Sequence, residues 1–176
     1  MTVIHTLRLL NVTVNPVNDA ATFGGATTGT EDEDTTITGT LTASDIADGL
    51  SNPNFTVSAD GVNGSATIDA TTGAWSYAPN TNFNGSDSFT VTITDDDNNT
   101  ETQVINVSVS QVNDDATFGG ATAGTGAEDD PEITGTLTAS DIADGLNNPN
   151  FTVSADGANG SATINATTGA WSYTPD

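Results

Sequence analysis

Carboxylates are almost the only chemistry this sequence offers. Twenty-four Asp and Glu side chains stand against one basic residue, Arg8, and one histidine, His5, with no cysteine, for a formal net charge of −23. Hard oxygen donors in excess, with nothing cationic to pair them, are the ligands of a divalent cation, and Ca2+ takes about 6–8 such oxygens. The acids come in clusters: Asp19; Glu31 to Asp34; Asp45 and Asp48; Asp95 to Asp97; Asp114 and Asp115 after Asn113; Asp141 and Asp144. Two stricter calcium motifs fail. Asp95-x-Asp97-x-Asn99 opens like an EF-hand loop, but Thr100 stands where glycine is required and Asn106 where the bidentate glutamate belongs. The glycine-rich nonapeptide of calcium-binding β-rolls is missing too, because Gly24-Gly25 and Gly119-Gly120 lack its aspartate.

The same composition excludes other chemistries. Binding to nucleic acid or to an anionic lipid surface needs Lys and Arg in number. A base-activated nucleophile needs a base, and His5 stands alone in a chain without Cys or Lys. A carboxylate pair for glycoside hydrolysis carries little weight where so many acids crowd together. The expectation is therefore a protein that is not an enzyme, with no nucleic-acid partner and no membrane insertion. No apolar run approaches the roughly 20 residues of a membrane span. The opening MTVIHTLRLL is too interrupted by polar residues to read as a signal peptide.

The elements that must hold these acids are legible from a repeat. ITGTLTASDIADGL at 37–50 returns letter for letter at 133–146, and over 37–79 against 133–175 only Ser51/Asn147, Val62/Ala158, Asp69/Asn165 and Ala78/Thr174 differ. Ala21 to Gly25 returns as Ala116 to Gly120, so the acidic stretch between the two matches holds a one-residue insertion. A repeat of this length is a small domain rather than a solenoid coil. The chain reads as an excerpt of a tandem array. Residues 1–17 form the last strand of a preceding repeat plus a linker, 18–112 a complete repeat, and 113–176 a second repeat cut before its last two strands. Leu10-Asn11-Val12-Thr13-Val14 aligns with Ile105-Asn106-Val107-Ser108-Val109.

Short alternating segments rich in Thr, Ser and Val between Gly/Asn/Asp turns predict an all-β sandwich. Seven strands are expected in the complete repeat: A at 21–25, B at 36–43, C at 55–59, D at 65–69, E at 74–78, F at 88–94 and G at 101–110. Ile37, Leu41, Ala43, Phe55, Val57, Trp75, Tyr77, Phe89, Val91, Ile93, Ile105, Val107 and Val109 are the expected inward residues. In the connection from E to F, Phe83, Gly85 and Asp87 read as a corner: a plug for the core, an unusual φ and a tie for backbone N–H groups. Strand parity then sorts the acids by pole. Asp19, Asp45, Asp48, Asp95 and Asp97 gather at one end of the repeat. Glu31 and Glu33 lie at the other, where the outgoing Asn113 and Asp114 meet Asp141 and Asp144 of the next repeat. That junction is the expected Ca2+ site.

These residues resemble the cadherin-like and VCBS-type repeats of large secreted, RTX-type bacterial adhesins. The resemblance rests on GTLTASDIADG, on TTGAWSYAPNTNFNGSDSFTVTITDDD and on the VND linker, and covers essentially the whole chain. It implies tandem Ig-like sandwiches, an extracellular or cell-surface location and type I secretion. It likens Asp45/Asp48 to the cadherin acidic motif after the second strand, Asn113-Asp114 to linker ligands, and Glu31 or Glu33, with Glu128 in the second repeat, to the glutamate before strand B. Ile46-Ala47 separates two acids that cadherins hold closer. The function expected is that of an extender repeat in an adhesin, its junctions stiffened by calcium. Its partners would be neighbouring repeats, with host or surface glycans and proteins engaged through other domains. The alternative is a calcium-dependent module that itself grips a glycan or a cell surface.

Overall fold

The computed structural model describes residues 9–15, 17–46, 49–50, 53–96 and 98–176. It is all-β, with no helix among the described residues. Two compact units are present. The first comprises Met1–Glu31, Thr35–Pro79 and Ser86–Ser108; the second comprises Asp32–Asp34, Asn80–Gly85 and Val109–Asp176.

In the first unit, β1 (Thr22–Gly25), β3 (Ile37–Ser44), β6 (Ala74–Pro79) and β5 (Gly64–Ile68) form one sheet in the order β1-β3-β6-β5. The second sheet has the order β2-β8-β7-β4, from β2 (Thr28–Asp32), β8 (Thr100–Ser110), β7 (Gly85–Thr94) and β4 (Asn54–Ala59). Alternation decides which side of each strand faces in. Ile37 and Leu41 of β3, and Trp75 and Tyr77 of β6, meet Phe89, Val91 and Ile93 of β7 and Ile105, Val107 and Val109 of β8, all buried to 4% exposure or less. Phe89 joins the sheets: its ring meets Trp75 edge-on at 5.5 Å and stacks parallel on Tyr77 at 6.1 Å.

Strand A departs from the sequence expectation. It is broken in two, so eight described strands run from Thr22 to Ser110. β1 pairs antiparallel with β3, whereas β2 lies beside β8 in the opposite sheet. Gly25 makes the crossing. Its φ is 77°, and a Cβ there would collide with the Thr40 carbonyl. The bonds from Asn106 N to Thr27 O (3.1 Å) and from Glu33 N to Ser110 O (2.9 Å) advance together along both strands, a parallel pairing. Residues 9–15 form no strand, although they carry the alternation of one. Leu9, Leu10, Val12 and Val14 are 74–94% exposed, and an isolated strand has no partner for its backbone.

The second unit repeats the first sheet as β9 (Thr117–Gly120), β10 (Ile133–Ser140), β12 (Ala170–Pro175) and β11 (Gly160–Ile164), in the order β11-β12-β10-β9. Its turn after β11 shows why Asn165 can replace Asp69. Asp69 Oδ1 accepts Thr71 N and Thr72 N at 3.0 and 2.7 Å, and Asn165 Oδ1 accepts Thr167 N and Thr168 N at 3.0 and 2.9 Å.

The corner expected before β7 is present in part. Gly85 has φ 122°. Asp87 accepts Asn63 N at 2.7 Å, Val62 N at 3.3 Å, Ser88 N at 2.8 Å and the Tyr77 hydroxyl at 2.6 Å. Phe83 does not plug the first core; it is half-buried in a segment that belongs to the second unit. Burial alone pushes the Asp87 carboxyl up, but the bonds from Tyr77, Asn63, Ser88 and Val62 together hold it below its ordinary value of 3.8. A carboxylate lowered in the folded state adds stability above its unfolded pKa and loses it as pH falls through the folded one. The first unit should therefore lose stability below about pH 4. Asp87→Asn should flatten that acid limb, and Asp87→Ala should cost about 3 kcal/mol at neutral pH by stranding several donors. Denaturant titrations followed by β6–β8 amide resonances check both; an acid limb unchanged in Asp87→Asn would count against this account.

Candidate metal centre

The pairing of β2 with β8 fixes one carboxylate. Glu33 follows β2 directly, and its N–H bonds to Ser110 O at the end of β8. Its side chain turns to the segment that β8 leads into, where Oε1 accepts Val112 N at 2.6 Å. At 5% exposure, Glu33 is the one charged residue buried among the described residues.

The other two carboxylates come from that segment and from the loop after β10. Asp141 Oδ1 accepts Asp144 N at 3.0 Å, a side-chain turn that aims Asp144 back along the loop. Asp144 then takes Asp114 N on Oδ2 at 2.6 Å and Gln111 Nε2 on Oδ1 at 2.7 Å. One carboxylate oxygen from each of Glu33, Asp114 and Asp144 lies within 4.8 Å of the others. All three residues belong to the second compact unit, which includes Asp32–Asp34.

Electrostatically the cluster is incomplete. Glu33 Oε2 and Asp114 Oδ2 are closed off from solvent without a hydrogen-bond partner. A buried carboxylate oxygen left unpaired is costly, and here two lie in one cluster. Burial first, then the charges of Asp144, Glu33, Asp34 and Asp141, push the Asp114 carboxyl above its ordinary value. The one basic side chain of the sequence, Arg8, lies outside the described residues.

The donor set fits a hard divalent cation. Oxygens bound at about 2.3–2.6 Å to one Ca2+ can be at most about 5 Å apart, which the 4.8 Å grouping satisfies. Further ligands can be waters. Beside the cluster is a cleft of about 220 Å³ lined by Asn82, Asp114, Ser140 and Asp141 among others, against roughly 30 Å³ for a water in the liquid.

The remaining sequence candidates are placed differently. Asn113 is exposed and donates its amide to the Asp114 carbonyl at 2.9 Å. Glu31 lies exposed on β2, and Glu128 is exposed in the second unit. Asp95 closes the turn between β7 and β8, accepting Asn99 N at 2.8 Å and Asn99 Nδ2 at 3.0 Å. Asp19 and Asp45 share the lining of a separate concavity in the first unit. Asp48 and Asp97 lie outside the described residues. Gln111 and the Val112 N–H are the contributors that a search for acids passes over, since an amide and a backbone donor carry no charge signal. Trp75 and Tyr77, whose rings could stack on a sugar were they exposed, are 2% and 0% exposed and belong to the core.

The raised Asp114 pKa sets a sign. The folded state holds that proton more tightly than the unfolded chain, so without divalent cations the second unit should lose stability as pH rises from about 4 through the folded pKa. In chelator at neutral pH, Asp114→Asn should therefore stabilise the second unit and remove that slope. Denaturant titrations at pH 4 and 7, followed by β9–β12 amides, test this; an Asp114→Asn variant less stable than the parent in chelator would show that the crowded charges are not the cost.

A solved structure described as "Protocadherin Gamma B2 extracellular cadherin domains 3-6" aligns with 89% of this chain at TM-score 0.50 and 16% identity. The chain spans 38% of that structure's length, and at this identity the likeness is one of fold. No curated protein matches the sequence. The family model described as "Bacterial Ig domain" matches residues 18–108, just over half of the chain. The chain belongs to the bacterial Ig domain family.

Proposed function

We propose that this chain is a structural extender repeat of a secreted or cell-surface bacterial adhesin, stiffened by Ca2+ held at Glu33, Asp114 and Asp144. The observation that carries the reading is the pair of buried, unpartnered oxygens, Glu33 Oε2 and Asp114 Oδ2, within a three-carboxylate cluster. An ion there would tie the 111–114 segment to the residues after β2 and to the loop after β10, and would turn mutual repulsion into shared attraction. Ca2+ is favoured over Mg2+ because the ligands are loop carboxylates with room for waters, and Mg2+ demands a tighter octahedron. Cadherin-like fold, bacterial Ig domain membership and near-identical repeats support an extended, non-catalytic role outside the cell. Near-identity also favours the extender over a module that itself grips a glycan, since a binding tip normally differs from its stalk. A glycan array on the chain separates those two readings.

Extracellular calcium modules bind at about 10⁻⁴–10⁻³ M. At a hundredfold excess over Kd, binding to the folded form adds about 2.7 kcal/mol. Calcium should raise the melting temperature of the second unit and make the scattering profile of the whole chain less broad, while chelator reverses both. Asp114→Ala should abolish most of that response. Asp156→Ala, which removes a cap on Ala162 N (2.8 Å), should lower the baseline but leave the calcium response intact. Melting curves and scattering that are the same in Ca2+ and in chelator would reduce the cluster to acidic surface.

A further inference from the structure

One member of the carboxylate cluster owes its aim to a side chain without charge. Asp144 lies half-buried on the loop after β10, between Ile142, which is 93% exposed, and Gly145 at φ 78°. A Cβ on Gly145 would meet nothing within 4 Å, so the loop stands open on that side. One oxygen of Asp144 lies within 4.8 Å of an oxygen from each of Glu33 and Asp114. Like charges that close drive the least constrained of the three towards solvent. Glu33 is 5% exposed, with its N–H on Ser110 O. Asp144, on the open loop, is the member with most freedom to leave.

Two bonds to the carboxylate oppose that. Asp114 N donates to Oδ2 at 2.6 Å, and Gln111 Nε2 donates to Oδ1 at 2.7 Å. The first is a main-chain bond that almost any residue at 114 can supply, whereas the second needs the amide at 111. Gln111 is exposed, so its bond to Asp144 rather than packing sets where the amide stands. Donors on both oxygens fix the plane of the carboxylate, and with about four lone-pair sites it still has room for a cation. The choice of an amide matters as much as its position. A Lys or Arg at 111 could hold Asp144 and would also bring the positive charge that the cluster lacks. The amide holds the carboxylate and leaves the charge of the cluster in place, with Glu33 Oε2 and Asp114 Oδ2 still unpartnered.

We propose that Gln111 is a positioning residue for the cation: it holds Asp144 against the repulsion of Glu33 and Asp114, so that three carboxylates face the ion before it arrives. The inference rests on the cation reading of the cluster. Groups that stand behind metal ligands and orient them act in this way, and their loss weakens metal binding about 10–100-fold.

The test is calorimetric titration of Ca2+ into the 176-residue chain, with thermal melts in chelator followed by β9–β12 amides. Gln111→Met keeps the length of the side chain and loses the donor; its Ca2+ affinity should fall about 10–100-fold. Gln103→Met, the same change at an amide that bonds the Val104 carbonyl at 2.7 Å, should bind like the parent. Gln111→Lys should melt above the parent in chelator and gain less from Ca2+, because its ammonium group supplies the missing charge. A packing role for residue 111 would be served by Met and would give Lys no advantage in chelator. If Gln111→Met fails to fold, the Lys variant decides: a melt in chelator at or below that of the parent overturns the proposal. Gln111→Met binding Ca2+ as tightly as the parent also overturns it and leaves the site standing. A parent that takes up no Ca2+ removes the site and this inference together.

Discussion

The parallel pairing of β2 with β8 sets most of what is particular to this chain. It requires strand A to leave one sheet for the other, which the positive φ of Gly25 permits. It carries the acidic run along β8 and delivers Glu33 to the end of that strand, buried, with its amide on Ser110 and its carboxylate on Val112. A residue placed by backbone ladder bonds on both strands has little freedom to withdraw its charge into solvent. The buried carboxylate is thus a consequence of sheet geometry, and Asp114 and Asp144 inherit the electrostatic problem. Where the same edge has no β8 beside it, at 123–128, the strand is absent although the local sequence is similar.

How far the sequence could be read follows from the same contrast. β3 to β8 were legible because each alternates apolar and polar residues and is bounded by Gly, Asn or Asp, and their inward residues make up the observed core, except that Ala43 and Val57, near the rim, are only half-buried. β2 was not, since Thr-Gly-Thr-Glu-Asp has poor strand propensity and no apolar residue; it is a strand because β8 offers it bonds. Residues 10–14 show the opposite case, a strand pattern with no strand formed among the described residues. Pattern reports what a segment is able to pair with, and neighbours decide whether it does.

At the site, charge counting marked out the acids but could not rank them. Parity placed Glu31 and Glu33 at one end alike, and the structure buries the second and exposes the first. Asp95 belonged to the same class by composition, yet its oxygens are committed to Asn99. An acid in a tight turn spends its lone pairs on local N–H groups. An acid whose turn donors are supplied by another residue, as Asp141 supplies the Asp144 N–H, keeps its own oxygens for something else.

The two linkers make the last point. Pro16-Val17-Asn18-Asp19 and Gln111-Val112-Asn113-Asp114 are near copies, but they face different surroundings. Asn18 Oδ1 takes the Asn99 amide at 2.8 Å and its Nδ2 reaches Glu101 Oε1 at 3.4 Å, so the first linker is engaged with the turn between β7 and β8 and the start of β8. Asn113 donates to the neighbouring Asp114 carbonyl, and Gln111, which has no amide counterpart in proline, holds Asp144. One substitution therefore separates the linkers chemically. In the second, a neutral amide satisfies one oxygen of Asp144, while the Glu33 and Asp114 oxygens remain buried without a donor. Crowded in this way, they gain from any change that removes or offsets their charge, a proton or a bound cation included, without unfolding the segment that holds them.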